Sequence, residues 1–66
     1  MKLKVNGQEA EIPEGASLAD YLSGQGFNLE AVVVELNGGI LKKDDWPRVR
    51  LQSRDRLEVV SFVGGG

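Results

Sequence analysis

Only one stretch of this chain has the spacing of an amphipathic helix, and strand-like segments bound it on both sides. Leu18, Tyr21 and Leu22 fall at helical intervals, with Ser17 before them and Gly24 and Gly26 after. Ser17-Leu18-Ala19-Asp20 reads as a capping box with Asp in place of the usual Glu or Gln, and either glycine can take the left-handed cap that ends a helix. The pattern predicts a single helix of about two turns. A helix that short cannot bury Leu18 and Leu22 alone, so it must lie across one face of a sheet.

The strands that supply this sheet follow from alternation and turn chemistry. Leu3 and Val5 alternate with Lys2 and Lys4, Asn6-Gly7 provides a two-residue turn with positive φ, and Ala10 and Ile12 alternate with Glu9 and Glu11. Pro13-Glu14-Gly15 closes the hairpin, because proline has no N–H for a ladder. Beyond Phe27-Asn28-Leu29-Glu30, the β-branched run Ala31–Leu36 predicts a central strand turned by Asn37-Gly38-Gly39. Ile40-Leu41 is a short strand, Lys43-Asp44-Asp45-Trp46-Pro47 a single helical turn stopped before proline, and Asp55–Val63 the last strand. A right-handed crossover through the helix returns the chain parallel to the first hairpin. The expected architecture is α+β: a mixed sheet of four to five strands packed on one helix, with residues 1–63 as one domain and 64–66 as a flexible glycine tail. Leu3, Val5, Ala10, Ile12, Val34, Leu36, Leu57 and Val59 should line its inner face. Lys2, Lys4, Glu9, Glu11, Glu35, Arg56 and Glu58 should line the outer, solvated one.

Composition narrows the chemistry. Sixty-six residues with 41% hydrophobic content support one small core, not a cleft between lobes. Eight Lys and Arg against ten Asp and Glu leave a net charge of −2, and no run of basic residues marks a nucleic-acid surface. With no His and no Cys, the chain has no imidazole for a triad or a zinc site, no thiolate nucleophile and no disulfide framework. A domain this small without staples fits a reducing, cytoplasmic setting. The opening Met1-Lys2-Leu3-Lys4-Val5 alternates without an apolar leader, and no apolar run approaches the ~20 residues of a membrane span. Paired acids such as Asp44-Asp45 and Glu9/Glu11 read as solvated surface, so no catalyst is expected.

Two features at the end of the chain do not fit this plain description. If Leu57 and Val59 point inward, period two turns Val60 and Phe62 outward, unless a twist or bulge buries Phe62 after all. Then come Gly64-Gly65-Gly66. At average usage, three glycines in succession arise by chance roughly 0.03% of the time. Glycine is costly to order but thin, and three of them span roughly 10 Å, enough to thread a channel that a side chain would block. The group such a tail delivers is a carboxylate.

The Asn6-Gly7 hairpin, Ser17-Leu18-Ala19-Asp20-Tyr21-Leu22, Val34-Glu35-Leu36-Asn37-Gly38, Lys43-Asp44-Asp45-Trp46 and the glycine tail together resemble the ubiquitin-like sulfur carriers. Within them the resemblance is to the ThiS family of thiamin (thiazole) biosynthesis. It covers nearly the whole chain, and the tail is its most specific part. One departure is Arg54-Asp55, where the family commonly has Gly-Asp before the last strand; it bears on turn geometry, not on the tail. The resemblance implies a ubiquitin-like β-grasp fold. It also implies a chemical terminus at Gly66 and Gly65, and a partner-binding surface at Gly64, Phe62 and Val60. An ATP-dependent enzyme of the ThiF or MoeB type would adenylate the Gly66 carboxylate, and a cysteine desulfurase route would supply the sulfur that makes it a thiocarboxylate. Thiazole synthase would accept that sulfur. The carrier itself would hold no cofactor or metal, ATP being used by the activating enzyme. Three other readings remain open: a small subunit of molybdopterin synthase, a ubiquitin-like modifier joined to lysine, and an interaction domain with an inert tail.

Overall fold

The first hairpin forms as its turn chemistry dictates. In the computed structural model, which describes residues 1–62, β1 (Lys2–Val5) and β2 (Gln8–Glu11) pair antiparallel around Asn6-Gly7. Both turn residues have positive φ, 52° and 81°, which matches the turn to the twist of the flanking strands. Next come α1 (Leu18–Gly24), a 3₁₀ turn at Leu29–Ala31, β3 (Val32–Leu36), β4 (Gly39–Leu41), a 3₁₀ segment at Lys43–Arg48 and β5 (Arg56–Ser61). The sheet order is β2-β1-β5-β3-β4. β5 runs parallel to β1 and antiparallel to β3, so β2 and β3, which flank the helix, point the same way and α1 is the crossover between them.

The core sits where sheet and helix meet. Leu18 and Leu22 are fully buried, against Leu3, Ile12, Val34, Leu57 and Val59 of the inner sheet face. Val5, Ala10 and Leu36, also assigned to that face, are half-buried around it. The outer set is exposed, with Glu35 intermediate. Ser17 Oγ accepts the Asp20 N–H at 3.0 Å and caps α1. Only half of the capping box forms, because the short Asp20 side chain makes no return bond among the described residues. Gly26, at φ 80°, rather than Gly24, takes the left-handed position.

Three expectations need correction. The central strand is β5, not the Val-rich run, because β3 is flanked by β5 and the edge strand β4. The turn around Trp46 does not stop before Pro47 but continues to Arg48. Proline's fixed φ suits a 3₁₀ helix, and burial of Trp46 to 3% exposure holds the segment in place. Ala31 belongs to a 3₁₀ turn capped by Asn28 Oδ1, and Asp55 precedes β5. Leu51 also joins the core, on the loop that bonds back to the start of α1 through Leu51 N–H to Ala16 C=O at 3.0 Å. At its other end β5 stops at Ser61, so Phe62 lies past the strand expected to run to Val63; Val63 itself and the glycine tail 64–66 lie outside the described residues.

Two asparagines fasten the central strand. Asn6 accepts the Val59 N–H through Oδ1 (2.8 Å) and donates through Nδ2 to the Val59 carbonyl (3.2 Å), extending the ladder past the end of β1. Asn37 accepts the Arg56 N–H (2.8 Å) and donates to Asp55 Oδ1 (3.0 Å), while Asp55 Oδ2 accepts the Gln52 N–H (2.8 Å). The turn between Gln52 and Asp55 places Arg54 at φ 72°. A left-handed conformation costs a residue with a Cβ about 1–2 kcal/mol, while glycine gives back about 0.4–1 kcal/mol through its freer unfolded chain. Arg54→Gly should therefore stabilise the fold by about 0.5–1 kcal/mol, read as a higher urea midpoint with an unchanged slope; a lower midpoint would contradict this account of the turn.

Candidate functional site at the end of the central strand

Alternation on β5 decides where its last side chains go. Leu57 and Val59 are buried, at 1% and 6% exposure, while Val60 and Phe62 are 58% and 51% exposed. No bulge intervenes: Val60 pairs with Val33, Ser61 with Val32, and the Phe62 N–H donates to the Ala31 carbonyl at 2.9 Å. The backbone is thus held in register up to the last described residue while Phe62 projects from the outer face. Val60 and Phe62 thus share the outer face, the orientation that alternation predicts. Gly64, Gly65 and Gly66 lie outside the described residues.

The structure adds Val33 and Ile40 to this surface, at 39% and 71% exposure. Val33 lies directly across from Val60, which only the β3–β5 register reveals, although period two already turns it away from Val32 and Val34. Ile40 lies opposite Glu35 on the edge strand. Next to the apolar group, Glu35 and Glu58 pair across β3 and β5, two like charges on neighbouring strands that work slightly against the sheet. Tyr21 is remote from this face, beside a small groove along α1, and burial raises its phenol above the ordinary 10.0. Among the described residues no group of three or more acidic side chains is placed to hold a metal ion, and no helix is long and apolar enough to cross a membrane.

A five-stranded mixed sheet wrapped on one helix, with its central strand continuing in sequence to three glycines, defines a ubiquitin-like β-grasp protein. The ThiS family model matches residues 3–66, and the chain belongs to the ThiS family. It is 34% identical over 65 residues to the sulfur carrier protein ThiS of Bacillus subtilis, covering 97% of this chain and 98% of that one. The crystal structure of the thiamine biosynthesis protein (ThiS) from Geobacter metallireducens superposes with a TM-score of 0.86 at 32% identity, over the whole of both chains. A thiazole synthase of Magnetococcus marinus is 39% identical over 66 residues, and there the chain spans only 20% of the relative's length.

Proposed function

We propose that this protein is a sulfur carrier of thiamin biosynthesis whose working group is the carboxylate of Gly66. The observation that carries the reading is the family match running through Gly66, together with a likeness to Bacillus subtilis ThiS over nearly the full length of both chains. A carboxylate is a poor electrophile because it has no leaving group. An adenylating enzyme of the ThiF or MoeB type supplies one: the Gly66 carboxylate oxygen attacks the α-phosphorus of ATP, and pyrophosphate leaves. The terminal sulfur of a persulfide, supplied by a cysteine desulfurase route, then attacks the acyl carbon and expels AMP. Cleavage of the resulting S–S bond by a thiol leaves the thiocarboxylate. That group gives its sulfur to thiazole synthase. The carrier needs no catalytic side chain for these steps and binds no cofactor, since ATP belongs to the enzyme; the thiols they use suit a reducing cytoplasm. Gly65 and Gly64 provide the thin reach, and Val60 and Phe62 the surface on which partners dock.

Intact-mass spectrometry of the protein isolated from cells tests this reading. Sulfur in place of one oxygen at Gly66 is the expected result. A lysine adduct through Gly66 would mark a modifier instead, and a tail that is never altered would end the carrier reading.

The docking role separates Phe62 from the core. Phe62→Ser should leave the denaturation midpoint nearly unchanged, within about 0.5 kcal/mol for an exposed site. It should also weaken binding to the adenylating enzyme, because exposed aromatics contribute to interfaces. A loss of stability like that of a core truncation would place Phe62 in the core.

A further inference from the structure

Four of the eight cationic side chains meet at one end of the outer sheet face, although they come as two pairs from opposite ends of the chain. Lys4 pairs with Arg56 across β1 and β5, and the Arg54 N–H donates to the Lys2 carbonyl at 2.8 Å. The parallel pairing of the first and last strands therefore joins Lys2, Lys4, Arg54 and Arg56 around an open groove of about 460 Å³. All four are exposed, and among the described residues none is in an ion pair, even though Glu9, which also lines the groove, lies opposite Lys4 in register and Glu11 opposite Lys2. Of the other four, three are engaged: Lys43 with Glu30, Arg48 with Asp45, and Arg50 with the Gly15 carbonyl, while Lys42 stands alone on the surface among the described residues. In a chain of net charge −2, this is a local reversal of sign. Arg54 moreover occupies the left-handed position at φ 72°, where glycine would sit without strain. Strain held at a surface position is a pointer to function.

We propose that this cationic band docks a carboxylate-rich surface of the adenylating enzyme, apart from the tail; the inference rests on the carrier reading given above. The donors favour a protein surface over a small anion. The main-chain N–H groups of Lys4, Arg54 and Arg56 are already bonded, to Asp55, Lys2 and Asn37. Only the ends of four long, exposed stems remain, and one small anion would have to order all of them at an entropic cost. A surface bearing several carboxylates meets them singly and gains orientation and encounter rate. Position favours the partner that takes the tail. Arg56 on β5 and Phe62 just past its end lie on one outward face, about 20 Å apart at 3.3 Å per residue, within a standard footprint of about 800 Å² per partner. A partner seated on Val60 and Phe62 extends along β5, past the Glu58–Glu35 pair, onto the band. With an apolar end and a cationic end, the face can be entered in one direction only.

ATP–pyrophosphate exchange, with the ThiF/MoeB-type enzyme of the same genome, tests the band through KM for the carrier. Lys4→Glu/Arg56→Glu should raise KM about tenfold at low salt, as reversal of steering charges does, while kcat holds. Added sodium chloride should raise the wild-type KM and narrow its difference from the variant. Arg54→Gly should raise KM although its urea midpoint rises, an outcome that misfolding cannot produce. Wild-type KM values in both variants, or a wild-type KM indifferent to salt, would overturn the band while leaving the carrier reading intact. Absence of any exchange with the wild-type protein would overturn the carrier reading and this inference with it.

Discussion

Removal of Gly66 is expected to abolish adenylation almost completely while leaving the fold untouched. The shortened protein still ends in a glycine carboxylate, on Gly65, so the reacting group is chemically the same. What changes is reach: one residue less is roughly 3.5 Å less. A misplacement of even 1 Å at a reacting centre can cost about 100-fold in rate, so exchange of pyrophosphate into ATP should fall at least that far. Gly65→Val keeps the length and adds a branched side chain in a segment proposed to thread a narrow channel, and it should fail as well. The buried core lies between Leu3 and Val59, so neither change should move the denaturation midpoint. Wild-type exchange by the truncated protein would remove Gly66 as the reacting residue. Failure of the truncation alone, with Gly65→Val active, would keep the reach argument and discard the channel.

Much of the fold was legible because its signals are local. Asn6-Gly7 and Asn37-Gly38 set their turns by positive φ, Ser17 capped the helix, and alternation alone assigned Leu57 and Val59 inward and Val60 and Phe62 outward. What was not legible depends on which strands become neighbours. Two strands whose paired residues stand 52 apart in sequence run in parallel, and no local signal says that Lys4 will lie beside Arg56, or that the last strand rather than the Val-rich one will be central. The same gap hid Val33 as the neighbour of Val60. Pro47 misled for another reason: the proline rule concerns the α-helix, whereas a 3₁₀ turn anchored by a buried Trp46 tolerates it. Arg54 stands out in the sequence as a departure in a turn, but its φ of 72° and its place in a cationic group appear only in the folded chain.

Leu57→Ala should be the most damaging single truncation on the strand that leads to the tail. Leu57 is 1% exposed on β5, in register with Val5 on one side and Leu36 on the other, and its carbonyl accepts the Asn6 N–H at 2.8 Å. Removing a buried leucine side chain costs about 2–5 kcal/mol through lost transfer energy and the cavity left behind. At about 0.05–0.15 kcal/mol per residue, a chain of this length has only about 3–10 kcal/mol in total. The truncation therefore consumes a large part of the stability, and the urea midpoint should drop sharply. Leu57→Met, which nearly conserves volume, should cost less than about 1.5 kcal/mol and so separates the cavity from any effect of altering the strand itself. An unchanged midpoint for Leu57→Ala would mean that the side chain does not pack in the core. The contrast with Phe62→Ser follows from period two along β5 and the residue after it: Leu57 holds the sheet against the helix, while Phe62 is exposed on the outer face, where docking is proposed. A lost midpoint in one and lost binding in the other would assign stability and docking to opposite faces of β5.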